Sequence, residues 1–376
     1  MLKISIRPQC LVHAKDQAAL PLHRVLELLA VVANEGNLRR GARRLGISYR
    51  HAWGIVRAGD GIFGAPLLQM SRGRGAILTA MGEKLLWADK RIAARLAPVL
   101  DSLASELEAE IERVRSDCGA IIRIHASHGF ALELLRDFLA ASHIPVEVKY
   151  RGSMEALASL AGSNCEIGGF HVPLGELQAA SLKFYAKWLR PGRQTLISVA
   201  TRRQGIMLAR GNPQRILSHA DLARRPHRFV NRQFGSGTRI LLDLLLKREN
   251  VDSRRIHGYD TSESTHSAVA ACIASGMADA GFGVETAARQ MNLDFIPIAS
   301  ERYFLICPNE SIDSPTVARI REVLSSARFR AAASGLPGID ATQAGTTLSI
   351  RKAFPDLPAA PRRARCGRPA MRVAGQ

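Results

Sequence analysis

Two short helical segments meeting at a glycine constrain the front of this chain more than any other feature. Leu38–Leu45 is opened by Asn37, and a second segment, from Ser48 to about Ala58, begins two residues after Gly46. Asn and Ser favour helix starts because their side-chain oxygens accept the free backbone N–H groups there. Ala42 lies four residues before the glycine, and Ile47, Ala52 and Ile55 supply inward positions after it. Two helices cross this closely only with a small residue in the first and a tight turn between them. The spacing predicts a helix-turn-helix. A preceding helix, Leu22–Asn34, is opened by Pro21 and stopped by Gly36, with Val25, Leu28, Leu29 and Val32 on one face.

Charge points the same way. The 376 residues carry 52 Lys+Arg against 33 Asp+Glu, a net charge of +19. Between Asn37 and Leu78, Arg39, Arg40, Arg43, Arg44, Arg50, Arg57, Arg72 and Arg74 face a single acid, Asp60. Clustered arginines on a helix-turn-helix predict a polyanion partner, double-stranded DNA. On the third helix Arg50, Gly54 and Arg57 share a stripe with His51 beside it. This is the candidate major-groove face. Tyr49, Trp53 and Val56 fall on a stripe expected to pack inward. Arg39, Arg43, Ser48 and Tyr49 complete the candidate contact set on the helices. Next, Leu67–Met70 and Ala76–Leu78 flank Ser71-Arg72-Gly73-Arg74-Gly75, which reads as a β-hairpin wing whose arginines reach phosphates or a minor groove. From Thr79 to about Arg115 a long amphipathic helix follows, with Pro98 expected to kink or interrupt it. Its apolar stripe predicts a homodimer.

The stretch GNLRRGARRLGISYRHAW…FGAPLLQMSRGRGAILTAMGEKLL resembles the winged helix-turn-helix of molybdate-responsive (ModE-type) regulators, which are related to the LysR type. The resemblance covers about 20–115 and implies a ligand-responsive transcription regulator sensing molybdate, tungstate or another small anion. One departure is Arg57-Ala58-Gly59-Asp60-Gly61, where two glycines weaken the expected end of the third helix.

Residues 119–345 alternate short apolar strands with helices, an α/β pattern. Separate strands are expected at Thr195–Ala200, Gly205–Ala209, Phe295–Ile298 and Tyr303–Cys307, among others. Four helix-entry loops are short, polar and uncharged: Ser127-His128-Gly129, Gly152-Ser153, Gly235-Ser236-Gly237-Thr238 and Ser264-Thr265. Helix N-termini present free N–H groups and a positive dipole end, so such loops suit a small oxyanion where they converge; ordinary capping uses the same residues.

RRQGIMLARGNP, FVNRQFGSGTRILLDLLL, THSAVAACIASGMADAGFGVETAAR and LDFIPIASERYFLICP resemble the type 2 periplasmic-binding-protein-like domain. That implies two α/β lobes, 119–195 with 299–345 and 200–295, hinged near Thr195–Ala200 and Pro297–Glu301. The ligand residues so implied are Ser127, Ser153, His171, Asn231 and Ser236, then Gly237, Thr238, Arg239, His266 and Tyr303, with Glu301 near the hinge. Phe234 departs from the polar residue expected before GSGTR.

The expected organisation is an N-terminal arm at 1–20, an all-α winged helix-turn-helix at 21–80, a dimerisation helix at 81–118, the two-lobed α/β domain at 119–345, and a basic disordered tail at 346–376. Ser127-His128, His266 and Asp279 supply the letters of a triad without a nucleophile motif, so an enzyme is not expected. The spacing of Cys and His implies no metal, and no cofactor is implied. The six cysteines read as single thiols. No run of about 18 apolar residues exists, and no signal peptide is recognisable, so a cytoplasmic setting is expected. The competing reading is a solute-binding protein whose helical front end serves oligomerisation alone.

Overall fold

The computed structural model describes residues 3–13, 20–71, 75–115, 121–224 and 226–357. A two-residue pair, β1 (Leu11–Val12) and β2 (Leu20–Pro21), leads into the helix-turn-helix: α1 (Leu22–Glu35), α2 (Leu38–Arg44) and α3 (Tyr49–Phe63). The caps are local chemistry. Asn37 Oδ1 accepts from the backbone N–H groups of Arg39 and Arg40, and Ser48 Oγ accepts from that of His51. Gly46 makes the turn in the left-handed region at φ 68°. Val25, Leu28, Leu29 and Val32 of α1 bury against Ala42, Ala52 and Val56.

Three expectations need correction here. Helix α3 does not stop near Ala58 but runs on to Phe63. Gly59 is a packing residue there: a Cβ on it would lie 2.7 Å from Leu67 Cδ1 and 3.3 Å from Val25 Cγ1. Tyr49 does not pack inward; it is 38% exposed, while Val56 is buried. Pro98 does not interrupt the long helix.

The wing is β3 (Leu68–Ser71) and β4 (Gly75–Leu78), antiparallel. Gly75 has φ 90°, and a Cβ on it would sit 2.0 Å from the Gly36 carbonyl oxygen. Only glycine allows that approach. Ala76 N–H donates to the same oxygen at 2.8 Å, tying the wing base to the end of α1. Arg72 and Arg74 lie outside the described residues.

Helix α4 (Ala80–Arg115) is 36 residues long and passes through Pro98. Its exposed apolar residues Ile92, Leu96, Val99, Leu103 and Leu107 recur every three or four positions.

The remainder is two α/β lobes sharing one curled mixed sheet. The first holds β5 (Ile122–Ala126), α5 (Phe130–Ala141), β6 (Val146–Tyr150), α6 (Ser153–Ala161), β7 (Ile167–Pro173) and α7 (Leu177–Tyr185). Next, β8 (Gln194–Leu208) crosses into the second lobe: β9 (Phe229–Arg232), α8 (Gly237–Arg248), β10 (Ser262–Glu263), α9 (His266–Ala274), β11 (Ala280–Val284) and α10 (Glu285–Gln290). The return strand β12 (Asp294–Pro308) leads to α11 (Pro315–Ser325), α12 (Ala327–Ser334), β13 (Ile339–Asp340), β14 (Thr347–Ser349) and α13 (Ile350–Ala353). Strand order is β10-β9-β11-β8-β12-β7-β5-β6.

Strands β8 and β12 pair antiparallel from Gln194↔Pro308 to Leu208↔Asp294. Each is one 15-residue strand where two were expected. The polar residues Thr201–Gln204 and Ser300–Arg302 interrupt the apolar patterning, but the ladder continues through them. The expected tail is also corrected: β14 pairs with β8, and Phe354 is buried, 5.7 Å from the Phe304 ring. Residues 358–376 lie outside the described part. None of the described helices is long and apolar enough to cross a membrane.

Candidate functional site

Two sites can be built upward from these elements. On the first, α3 exposes Arg50, His51, Gly54 and Arg57 along one face. A Cβ on Gly54 would meet nothing within 4 Å, so the helix backbone is open there. Tyr49 stands edge-on to Trp53 at 6.4 Å and beneath the Arg39 guanidinium at 5.4 Å. Arg57 lies 6.0 Å over the Trp53 ring. These aromatics hold arginine side chains at the surface through the attraction of a cation for a π face. Arg43 is exposed on α2, while the Ser48 hydroxyl is taken up as the α3 cap.

The second site is the cleft between the lobes. The N-termini of α5 and α6 enter from one side, those of α8 and α9 from the other. Ser127 Oγ lies 3.3 Å from Ser153 Oγ. A Cβ on Gly237, at the start of α8, would come within 3.4 Å of His171 Cβ and 3.6 Å of Ser153 Oγ. The lobes are therefore close, and glycine keeps the gap open. His171 and Tyr303 stack, with centroids 4.2 Å apart and ring planes 7° apart. Ser236 lines the same cleft while its hydroxyl caps α8, and His266 is buried at the start of α9.

Two expected ligand residues are turned elsewhere. Asn231 donates to the Tyr259 carbonyl at 3.1 Å and accepts the Arg232 N–H at 2.9 Å, so its amide is a backbone brace. Arg239 reaches Asp243 at 3.0 Å and the Tyr259 carbonyl at 3.2 Å, with its guanidinium 4.0 Å from the centre of the Tyr259 ring. Thr238 acts at one remove: its hydroxyl accepts from Gln204 Nε2 at 2.8 Å. Phe234 is 90% exposed. Ser127 has no base beside it, for His128 turns to Asp101 at 3.4 Å and Glu133 at 3.3 Å.

Sequence reasoning missed two arginines of the cleft, Arg202 on β8 and Arg232 at the end of β9. Arg202 Nε donates to Glu301 Oε1 at 2.6 Å, and Arg202 lines the cavity with Ser127, His171 and Tyr303. Gln204 bonds the same carboxylate oxygen at 2.7 Å. Arg232 is 5% exposed, and its Nε and Nη1 are buried with no protein partner. Burial, reinforced by the nearby Arg202, pushes its pKa down to about 9. Burial and the same two arginines hold His171 and His266 well below the usual imidazole range. A cavity of about 200 Å³ opens beside Arg232 and Ser236, and Arg95, Pro98 and Val99 of α4 form its outer side. Among the described residues, no cluster of His, Cys, Asp and Glu is placed to hold a metal ion. Uncharged imidazoles, hydroxyls, helix N-termini and a desolvated guanidinium are groups whose chemistry can hold an anion.

A helix-turn-helix head is thus carried on a long helix and followed by a two-lobed α/β domain. Residues 23–83 match the bacterial regulatory helix-turn-helix proteins of the lysR family, and residues 136–325 match the PBP superfamily domain. That second match spans half of the chain, and the protein belongs to the PBP superfamily. It is 32% identical over 202 residues to the uncharacterized protein YvgK of Bacillus subtilis, covering 53% of this chain and 64% of that protein. It is 31% identical over 128 residues to the molybdenum-pterin-binding protein MopB of Rhodobacter capsulatus, covering 33% of this chain and 46% of that one. The chain thus spans less than two thirds of both relatives. A solved Corynebacterium glutamicum OxyR C206 mutant aligns at 15% identity and TM-score 0.42, over 83% of this chain and 93% of that one.

Proposed function

We propose that this protein is a cytoplasmic transcription regulator that binds double-stranded DNA and changes its grip when a small anion enters the interlobe cleft. It is not an enzyme in this reading. Arg232 is the observation that carries the proposal. A guanidinium removed from water with two nitrogens unpaired is costly unless an anion arrives to pair with it. Arg202, Ser127, Ser153, Ser236 and Tyr303 complete the receptor, and His171 and His266 add polar edges. The name of the relative MopB brings molybdate forward as the first anion to test; tungstate and small organic anions fit the same chemistry.

DNA is met by Arg50, His51, Gly54 and Arg57 in a major groove, with Arg39, Arg43 and Tyr49 alongside. The wing arginines Arg72 and Arg74 contact the backbone or minor groove in the same reading. The exposed stripe from Ile92 to Leu107 joins two copies, and a two-fold dimer suits a palindromic site. The test pairs a thermal-shift panel of molybdate, tungstate, sulfate, phosphate and formate with a mobility shift on the DNA upstream of the protein's own gene. A melting shift with one anion and salt-sensitive DNA binding are expected. No shift with any of them, together with no DNA binding at nanomolar protein, refutes the proposal.

A further inference from the structure

Helix α4 does more than link the head to the lobes: it is bonded to both of them, on either side of the cleft. Toward the second lobe, Arg95 forms a two-pronged ion pair with Glu263, its Nε–Oε2 bond measuring 2.7 Å. Thr265 Oγ1 donates to the Ala94 carbonyl at 2.9 Å. Toward the first lobe, Ser102 and Ser105 accept the backbone N–H groups of Tyr150 and Val148 at 3.0 and 2.8 Å. These donors belong to β6, an end strand of the sheet. Arg113–Glu147 at 3.1 Å and Lys149–Glu106 at 3.5 Å extend the same attachment.

Pro98 lies between the two sets of anchors, and it has no N–H. The carbonyl four residues earlier, that of Ala94, therefore loses its helical partner. This is the carbonyl that Thr265 binds. The second lobe docks on the acceptor that the proline releases. Thr265 also caps α9, whose first residue, His266, is buried within electrostatic reach of Arg232. Glu263, the partner of Arg95, lies within electrostatic reach of Arg232. Each anchor toward the second lobe is thus one step from the anion receptor, and Pro98 and Val99 line the cavity itself. At the other end α4 is fused to the head, where a Cβ on Gly82 would strike the Leu67 carbonyl oxygen at 2.3 Å.

We propose that α4 is the outer wall of the anion site and the arm that carries lobe movement to the helix-turn-helix, with Pro98 as its joint; this rests on the anion reading of the cleft. Drawing the lobes together shortens the distance between the anchors at Ala94–Arg95 and those at Ser102–Ser105. A continuous helix resists that change through its hydrogen-bond ladder, and the missing bond at Pro98 is where it yields.

The test uses the full chain with two substitutions. Pro98→Ala restores the N–H and closes the ladder, and Thr265→Val removes the donor with little change in shape. In anion-free protein, electron-electron distances are measured between nitroxides on unnatural amino acids at exposed positions 84 and 163. Pro98→Ala is expected to narrow the distribution, and Thr265→Val to broaden it. Distributions that both variants leave unchanged overturn the joint, whether or not any anion binds. With molybdate or whichever panel anion shifts the melting point, wild-type DNA affinity is expected to change by about fivefold or more. In Pro98→Ala, measured at anion concentrations that saturate that variant's own melting shift, the change falls below twofold. A wild-type response in Pro98→Ala also overturns the proposal. If no anion shifts the wild-type melting point, the cleft reading fails, and the anion-free distances still decide the joint.

Discussion

Replacing Arg232 with methionine tests the anion receptor most directly. The guanidinium is 5% exposed, and burial has pushed its pKa down to about 9. That net displacement, already reduced by the nearby Glu301 and Glu263, corresponds to on the order of 5 kcal/mol of unfavourable placement. Methionine fills similar length without charge. The substitution strands no carboxylate, because Glu301 keeps Arg202 and Gln204 and Glu263 keeps Arg95. Exchanging a buried charge for a well-packed apolar group is neutral to stabilising by about 1–4 kcal/mol. Even a gain of 1–2 kcal/mol raises the melting temperature by roughly 2–8 °C for a domain of this size. Arg232→Met is therefore expected to melt above the wild type without anion and to lose the anion-induced shift. Differential scanning calorimetry with and without molybdate, tungstate, phosphate and sulfate measures both. A variant that melts below the wild type, or that keeps the shift, refutes the reasoning.

Acid should destabilise the protein through His171 and His266. Both are held neutral when folded, whereas the unfolded chain protonates them below about pH 6.5. Stability is then lost as pH falls through that value, by up to about 1.4 kcal/mol per pH unit for each histidine. Urea midpoints from pH 7 to 5 should flatten in His171→Gln/His266→Gln, and an unchanged slope assigns the acid sensitivity to other groups. Two glycines of α3 should respond in opposite senses. Gly61→Ala meets open space and gains about 1 kcal/mol of helix propensity, whereas Gly59→Ala drives a Cβ into Leu67 and Val25 and loses about 1–3 kcal/mol to overpacking. Denaturant curves that move the same way for both would show that Gly59 is not a contact residue. Arg50→Ala should relax sequence preference at a cost of about 1–3 kcal/mol, seen as unequal loss across operator variants. A uniform loss makes Arg50 a phosphate contact instead.

The helix-turn-helix was legible because its signals are local. Asn37 and Ser48 cap the helices that follow them within three residues, and the Val25–Val32 face is a periodicity within one helix. The end of α3 was not legible. Glycine lowers helix propensity wherever it stands, and only the approach of Leu67 and Val25 gives Gly59 a reason to be there. The same divide runs through the cleft. Ser127, Ser153 and Ser236 announced themselves as small polar residues before helices. Asn231 and Arg239 were implied only by the resemblance to binding-protein-like domains, and Tyr259, some twenty to thirty residues downstream, draws both away.

Amino-acid order alone settled what depends on neighbours a few positions apart: the capped helices, the glycine turns, the α/β alternation and the basic front. Arg202 and Arg232 carry no such mark, since an arginine in a strand reads equally as a solvent-facing residue. Their role comes from the pairing of β8 with β12, which sets Arg202 opposite Glu301, and from the burial of the β9 end beneath two lobes and α4. Desolvation and the meeting of charges are properties of the assembled volume. They arise only when distant segments close around a group and exclude its water.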